Sequence, residues 1–289
     1  MKIFDCFMFF NELELLELRL MELYDTVDHF VLVEANKTHT GKEKPYLFEE
    51  HKTAFQPYLD KIIHVKVDDL PSYSPDNIWI AENFHRNCIM RGLSEHAVDG
   101  DKIIISDVDE LPRIETIKNS VTVTNWIICR QKLFYYYVNC QQNSVWTGSM
   151  IANYGTFDTP QQLRDVCKSW RHRRTARQMG KNYEYHPIEH GGSKEVQPFE
   201  SGWHYSFMGG ADRIKLKIEN ICEGPSIANA VGSVSDIQQK IRTQQDLWGR
   251  RNLAFQKHIV DITNDQPRML EAFLKKYPHF FYTPDTIHE

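Results

Sequence analysis

Two aspartates one residue apart, Asp107 and Asp109, follow an apolar run in the stretch KIIISDVDELP of residues 102–112. Hard divalent cations prefer carboxylate oxygens, and a cation held in this way can neutralise a diphosphate group. If the extended backbone continues past Asp107, both carboxylates point to one side and Val108 to the other, because side chains alternate along a strand. The alternative is a solvated strand end, since so short a motif also arises by chance.

Two other polar side chains are candidates for a site. His204 lies beside Trp203 and close to glycines that allow a near approach of the backbone, and it could be a metal ligand, a general base or a hydrogen-bonded core residue. Glu34 follows a second apolar stretch and could accept a hydrogen bond from a ribose hydroxyl. Alternatively, the loop that begins here, with Asn36 and Thr38, merely forms a turn.

These side chains are positioned by segments that alternate between strand and helix patterns. Short apolar runs predict strands, and leucines at three- and four-residue spacing predict an amphipathic helix. Strands separated by helices indicate βαβ units and a parallel sheet, in which ligands bind beyond the carboxyl ends of the strands. The predicted strands are residues 2–10, 28–35, 61–67 and 101–107, and the predicted helices are residues 12–24 and 78–96.

The second half of the chain is less regular. We predict a strand pair within residues 126–138, a helix over residues 159–174 behind its Thr-Pro start, and a Gly-Gly turn into a helix within residues 208–221. The sequence contains no internal repeat and no low-complexity linker, so we expect one domain over residues 1–289.

Composition excludes several classes of protein. The net charge of −5 comes from 34 basic and 39 acidic residues spread along the chain, which argues against nucleic acid as a partner. The six cysteines lie far apart without a C-x-x-C pair, so we expect reduced, mostly buried thiols. Because no stretch approaches the roughly 20 apolar residues of a membrane span and no signal sequence is apparent, we expect no integral membrane segment and a cytoplasmic location.

Four blocks stand in a fixed order along the chain: YDTVDHFVLVEANKTHTGKEKPYLF at residues 24–48, IWIAENFHRN at 78–87, IIISDVDELP at 103–112 and GWHYSF at 202–207. Together they resemble glycosyltransferase family 17, a family of bisecting N-acetylglucosaminyltransferases. The resemblance extends from residue 5 to about residue 221. Several blocks in the same order are far more specific than any one of them.

The resemblance implies a GT-A-type nucleotide-sugar-binding fold, with a mostly parallel central sheet flanked by helices. It also implies a UDP-sugar donor, UDP-N-acetylglucosamine above all, a glycan or glycoconjugate acceptor, a divalent metal held by D-x-D, and inversion at the anomeric carbon. Asp107 and Asp109 match the D-x-D motif, and Glu34 falls in the block expected near the nucleotide. The nucleotide-binding half would span residues 1 to about 112, and the acceptor- and metal-completing half the remainder to residue 289.

An inverting transfer needs a base for the acceptor hydroxyl and positive charge beside the leaving diphosphate. Arg86, on the helix before the D-x-D strand, could supply that charge in the donor site. Glu200 and Asp165 are equal candidates for the base, and Glu110 adjoins the metal motif. His204 is our candidate for a third metal ligand, which would favour Mn²⁺ over Mg²⁺ because nitrogen suits transition metals better.

Two other functions share parts of this pattern. The stretch IIISDVDEL also resembles the first motif of haloacid-dehalogenase-type phosphatases, in which the first aspartate is a nucleophile and the second an acid or base. That motif normally opens its domain and has Thr or Val two positions after the second aspartate, whereas Leu111 stands there and three predicted strands come first. A non-catalytic nucleotide- or glycan-binding protein would keep the same fold, and an assay of UDP release distinguishes it from an enzyme.

Overall fold

A computed structural model describes most of the chain. It covers residues 1–124, 126–178, 194–196, 201–263 and 265–283. In this part of the chain, no helix combines the length and the apolar character that a membrane crossing requires.

The first four strands form a parallel sheet, as predicted, and each agrees with its predicted range to within two residues at either end. Their order across the sheet is β3-β2-β1-β4, and all three pairings are parallel. The carboxyl ends of β1, β2 and β4 therefore lie side by side at one edge of the sheet. These strands are β1 (Ile3–Phe9), β2 (His29–Ala35), β3 (Ile62–Val67) and β4 (Lys102–Asp107).

Helical segments connect these strands. The helix predicted over residues 78–96 is two helices that meet at Cys88. The ψ of Cys88 is −11°, which departs from regular α-helix geometry, and its backbone N–H bonds to carbonyl oxygens of the preceding turn. The leucine stripe predicted over residues 12–24 forms one helix against the sheet. The segments are α1 (Leu13–Leu23), α2 (Leu47–His51), a 3₁₀ helix (Lys52–Lys61), α3 (Ile80–Asn87) and α4 (Ile89–Leu93).

After β4 the chain alternates between strands that extend the sheet and helices that cover it. The strands are β5 (Glu110–Pro112), β6 (Trp126–Tyr135), β7 (Cys140–Asn153), β8 (Lys194–Val196), β9 (Gly202–Ser206) and β10 (Lys257–Ile259). The helices are α5 (Ile114–Ser120), α6 (Pro160–Gln178), α7 (Ala211–Asn220), α8 (Gly224–Val231), α9 (Val234–Arg242) and α10 (Leu270–Lys276), with short 3₁₀ helices at Leu253–Phe255 and Pro278–Phe280.

The complete sheet is mixed, so the prediction of a mostly parallel sheet is confirmed for β1–β4 but not for the whole. The order continues as β4-β7-β6-β9-β5, and β7 runs antiparallel to both β4 and β6. The strand pair predicted within residues 126–138 is instead the single strand β6, which pairs with β7. Because only residues 136–139 join β6 to β7, the two strands must run antiparallel.

The core lies on both faces of the sheet. Ile104 packs into the cluster on one face, which includes α1, whereas Ile103 and Ile105 pack into the cluster on the other face. Since β4 lies between β1 and β7, residues 103–106 belong to an interior strand of the sheet. All six cysteines are buried and free of disulfides, as expected from their spacing.

Candidate active site

A cavity of about 550 Å³ lies at the carboxyl ends of the parallel strands. Phe9 and Phe10 at the end of β1, residues 37–39 after β2 and residues 107–109 at the end of β4 all line it. Cavities of this volume are typical of small-molecule sites, and open α/β sheets bind ligands at this edge. The sheet therefore brings the D-x-D motif to the place where the sequence predicts a ligand.

The two aspartates of the motif line this cavity from different backbone positions. Asp107 ends β4, whereas Asp109 lies in a turn before β5, so the extended backbone stops at Asp107. Val108 is buried in the core and also reaches the cavity wall. The side chain of Asp107 is 32% exposed and that of Asp109 is 6% exposed. Asp107 is thus the more accessible carboxylate of the pair.

Asp107 is held by two arginines. Arg86 Nη2 donates to its Oδ1 at 3.2 Å, and Arg164 Nη2 donates to its Oδ2 at 2.5 Å. The guanidinium of Arg86 also donates to Glu82 at 2.8 Å and to Gln161 at 2.6 Å, which fixes its orientation. The positive charge that the sequence predicts for the donor site therefore lies directly beside the first aspartate.

Asp109 is held by a lysine and a histidine. Lys217 Nζ, on α7, lies 2.9 Å from its Oδ2, and His204 Nε2, on β9, lies 3.4 Å from its Oδ1. Burial raises the pKa of Asp109, but Lys217 and His204 more than offset this and hold it well below its ordinary value. Burial likewise lowers the pKa of Lys217, but Asp109 and Glu12 outweigh it and raise the value. Asp109 and Lys217 therefore form a charged pair at neutral pH.

A fully buried arginine, Arg19 of α1, holds the backbone of the D-x-D segment from below. Its guanidinium bonds to both carboxylate oxygens of Asp5, at 2.7 and 2.5 Å, and to Ser106 Oγ at 2.5 Å. It also donates to the carbonyl oxygens of Asp107 at 3.1 Å, Val108 at 3.2 Å and Glu110 at 2.8 Å. Arg19 thus ties the first helix to the turn that carries the second aspartate.

Glu110 is the centre of a second buried network. Arg164 donates to both of its carboxylate oxygens at 2.7 Å, and Trp146 Nε1 donates to Oε1 at 2.5 Å. Burial raises the pKa of Glu110, but Arg164 outweighs it and lowers the value to about 2. Because Glu110 is fully buried and bound on both oxygens, it orients Arg164 and Trp146 and lies beneath the cavity surface.

Two histidines line the cavity near Arg86. His39 Nε2 and His85 Nδ1 lie 3.2 Å apart, and burial lowers the pKa of both rings, so the pair is neutral at pH 7. Glu82, which also accepts a hydrogen bond from the Cys222 thiol at 3.0 Å, lines the same part of the cavity. This part of the cavity is therefore polar and offers both donors and acceptors.

Comparison with known proteins identifies the family. The family description "Glycosyltransferase family 17" matches residues 1–269. The chain belongs to glycosyltransferase family 17. Curated relatives in human and rat, each named beta-1,4-mannosyl-glycoprotein 4-beta-N-acetylglucosaminyltransferase, are 35% identical over 107 residues, and the mouse protein of that name is 34% identical. The matched segment is 35% of this chain and spans only 20% of the length of each relative.

In this family 17 member, Glu34 is not among the described residues that line the cavity. It is fully buried and accepts hydrogen bonds from the Phe48 backbone N–H at 3.2 Å and from Lys44 Nζ at 3.2 Å, with His64 Nε2 a further 3.2 Å contact. Lys44 does line the cavity, so Glu34 touches the site through that lysine. A direct contact between Glu34 and the nucleotide stays a prediction.

The two candidate bases are placed differently. Asp165, on α6, accepts a hydrogen bond from Gln161 Nε2 at 2.7 Å and is not among the described residues that line the cavity. Glu200 lies outside the described residues. The assignment of either residue as the base therefore stays a prediction.

The side chains of the family 17 site fit a divalent cation whose coordination shell is completed by oxygen atoms of the substrate. In the described part of the chain, no three His, Cys, Asp or Glu side chains already form a metal-binding cluster. Mg²⁺ and similar ions, however, are commonly held by one or two carboxylates together with substrate phosphate oxygens, and Asp107 and Asp109 supply two carboxylates to one cavity. His204 lines the same cavity beside Asp109, and its role as a ligand stays a prediction.

The sequence pointed to Arg86 and His204, but it did not single out Arg164 and Lys217 as partners of the D-x-D motif. Arg164 and Lys217 lie 57 and 108 residues from the aspartates that they bind. Lys217 had one weak signal, since it lies on the helix predicted after the Gly-Gly turn, but nothing local distinguishes it from Lys215. Arg164 is likewise an ordinary member of a polar helix until the fold brings α6 against β7.

Proposed function

We propose that this protein is an inverting N-acetylglucosaminyltransferase with a GT-A-type fold. It moves N-acetylglucosamine from a UDP-sugar to a hydroxyl of a glycan or glycoconjugate acceptor, with Mn²⁺ or Mg²⁺ held by Asp107 and Asp109. The observation that carries the proposal is that a family 17 chain places both aspartates, flanked by Arg86 and Lys217, in one cavity at the carboxyl ends of parallel strands. The names of the mammalian relatives support the choice of sugar.

The reaction is a single displacement. The acceptor oxygen forms a bond to the anomeric carbon while the bond from that carbon to the diphosphate oxygen breaks, and the acceptor proton passes to a base. When bound, the divalent cation supplies charge neutralisation for the departing diphosphate. Arg86 and Lys217 add fixed positive charge at the same place, and their partly buried carboxylate partners Glu82 and Glu12 keep them oriented before the substrate binds.

The family 17 match covers residues 1–269, which include the D-x-D stretch. It therefore gives no support to the phosphatase alternative. A non-catalytic family 17 member would bind the UDP-sugar and release no UDP. Incubation with UDP-N-acetylglucosamine, Mn²⁺ and glycan acceptors should release UDP and therefore separates enzyme from binding protein.

Donor binding is tested by thermal unfolding with UDP-N-acetylglucosamine in the presence of Mn²⁺ or of a chelator. A ligand at 100 times its Kd stabilises a protein by about 2.7 kcal/mol, which corresponds to several degrees in Tm. We expect this shift only with the metal. We also expect Asp109→Asn to abolish most of it, because the variant removes a charged ligand.

Asp99→Asn is the matched control, because Asp99 is the exposed first aspartate of the other D-x-D sequence in the chain. It should bind the donor as the wild type does. Equal stabilisation in the chelator would contradict the metal site, and an unchanged Asp109→Asn variant would contradict the role of the motif.

A further inference from the structure

Four aromatic side chains contribute to the wall of the cavity. Tyr135, Trp146, Phe207 and Trp248 all line it, and we call them the aromatic patch. The Phe207 ring stacks on Tyr135 with centroids 5.6 Å apart and an interplanar angle of 24°, and it meets Trp248 edge-on at 5.6 Å. Aromatic surface that remains open in a cavity is typical of a ligand site.

The patch rests on a hydrophobic cluster of its own. Leu133 of β6 packs there with Ile214 of α7 and Ile237 of α9, and three members of the patch, Trp146, Phe207 and Trp248, pack against this cluster while remaining partly exposed. The segment after β9 therefore places rigid rings over the cavity. Rigid aromatic side chains lose little conformational entropy when they bind a ligand.

Phe207 has an unusual backbone conformation. Its φ is +53°, in the left-handed region that residues other than glycine seldom occupy. Such a conformation is strained and tends to occur at ligand sites, where the surrounding structure maintains it. Here it directs the ring at the end of β9 toward Tyr135 and Trp248, which form the rest of the patch.

The patch adjoins the second aspartate of the D-x-D motif. His204, which contacts Asp109, has its ring centroid 4.6 Å from that of Trp146. Lys217, which also contacts Asp109, lies 5.8 Å from the centroid of Phe207. A group bound on the patch would therefore be next to the motif that is proposed to hold the donor diphosphate.

The rest of the cavity has a different chemical character. Asp107 contacts Arg86 in the part that also contains His39 and Glu82, and Lys37 and Lys44 contribute two more cations. Cations and hydrogen-bonding groups suit a nucleoside diphosphate. The D-x-D motif thus stands between a cationic part of the cavity and an aromatic part.

We propose that the aromatic patch binds a pyranose ring of the acceptor glycan, an inference that rests on the proposed function. One face of a pyranose exposes C–H groups that pack on an aromatic ring, while its hydroxyl groups require polar partners around the rim. Ser206, Asn220 and Arg250 line the cavity and supply such groups. The acceptor hydroxyl then lies beside Asp109, where the anomeric carbon of the donor must be placed.

The test uses Trp248→Leu and Phe207→Leu, with Trp79→Leu and Phe281→Leu as matched controls. Trp79 and Phe281 are also partly exposed, but neither lines the cavity. Binding of β-mannosyl, β-galactosyl and β-glucosyl oligosaccharides is followed by tryptophan fluorescence and by saturation-transfer NMR. Affinity for UDP-N-acetylglucosamine with Mn²⁺ is measured separately by calorimetry.

We expect at least one oligosaccharide to bind the wild type. Each variant of the patch should weaken that binding about 3- to 10-fold, the range for the loss of one aromatic contact. Donor affinity should be unchanged, and the control variants should match the wild type. Trp248→Phe, which keeps an aromatic ring, should restore most of the affinity and so separates ring contact from a folding defect.

The proposal is overturned if the patch variants lose UDP affinity and keep oligosaccharide affinity, because the patch would then bind the uracil ring. It is also overturned if no oligosaccharide binds the wild type, or if the variants bind it unchanged. Failure of the wild type to bind UDP-N-acetylglucosamine would refute the proposed function, and the oligosaccharide titrations would still decide the role of the patch.

Discussion

Replacement of Arg19 by methionine tests whether the buried ion pair beneath the D-x-D segment holds the fold together. Arg19 is 1% exposed and Asp5 is 0% exposed, and the two share a bidentate contact. Methionine fills part of the same volume but leaves the carboxylate of Asp5 buried without a cation. Loss of one partner of such a pair costs about 3–5 kcal/mol, a large part of the 5–15 kcal/mol that stabilises a typical protein.

The assay is urea unfolding followed by fluorescence, with Tm measured in parallel. A loss of about 4 kcal/mol corresponds to a decrease in Tm of about 7 °C for a protein of this size. The double variant Asp5→Asn, Arg19→Met should lose less than the sum of the two single variants, because it leaves no unpaired charge.

Arg213→Met is the matched control. Arg213 makes an equally close bidentate contact with Glu14, at 2.6 and 2.7 Å, but its side chain is 48% exposed. Exposed pairs contribute about 1 kcal/mol or less, so this variant should remain close to the wild type. The reasoning is refuted if Arg19→Met loses less than about 1 kcal/mol, or if the effects of the Asp5 and Arg19 changes are additive.

Three further predictions concern the surroundings of the site. Arg164 lowers the pKa of Glu110 from its ordinary 4.5 to about 2, so the stability that Glu110 contributes is complete above pH 4.5 and is lost as the pH falls toward 2. Glu110→Gln should therefore make the free energy of unfolding depend less on pH between 4.5 and 2. Gly148→Ala should lower Tm and donor affinity, since its Cβ would lie 2.1 Å from Glu110 Oε1 and 2.3 Å from Trp146 Nε1, and unchanged values would disprove this crowding. Burial raises the pKa of Cys88 to about 11, and all six thiols are buried. A thiol reagent should therefore modify the native protein slowly and should modify all six cysteines after denaturation, and rapid labelling of the native protein would contradict this.

Much of the first half of the fold could be predicted because its signals are local. The runs that form β1, β2 and β4 are apolar enough to be buried on both faces, and the leucine spacing of α1 specifies one packed side. The break at Cys88 could not be predicted from the periodicity, since both helices continue the same amphipathic pattern. The strand β7 was missed because its polar first half, residues 140–147, resembles a loop until it pairs with β6.

Glu34 illustrates why a site residue is harder to predict than a strand. Its position at the end of β2 suggested a ligand, but Lys44, Phe48 and His64 surround its carboxylate in the folded chain. These partners lie 10 to 30 residues away, and no spacing in the sequence indicates that they converge on one carboxylate. A polar side chain at a strand end can therefore hold a neighbouring loop in place.

The sequence by itself determined the four parallel strands and the position of Asp107 at the end of an interior strand, because apolar patterning and strand length are local properties of the chain. Only the tertiary structure decided which charges meet that motif. Arg164 and Lys217 reach the two aspartates across 57 and 108 residues of chain, and the aromatic patch gathers side chains from β6, β7 and the segment after β9. Electrostatic and packing energies depend on distance in space, which separation along the sequence does not specify.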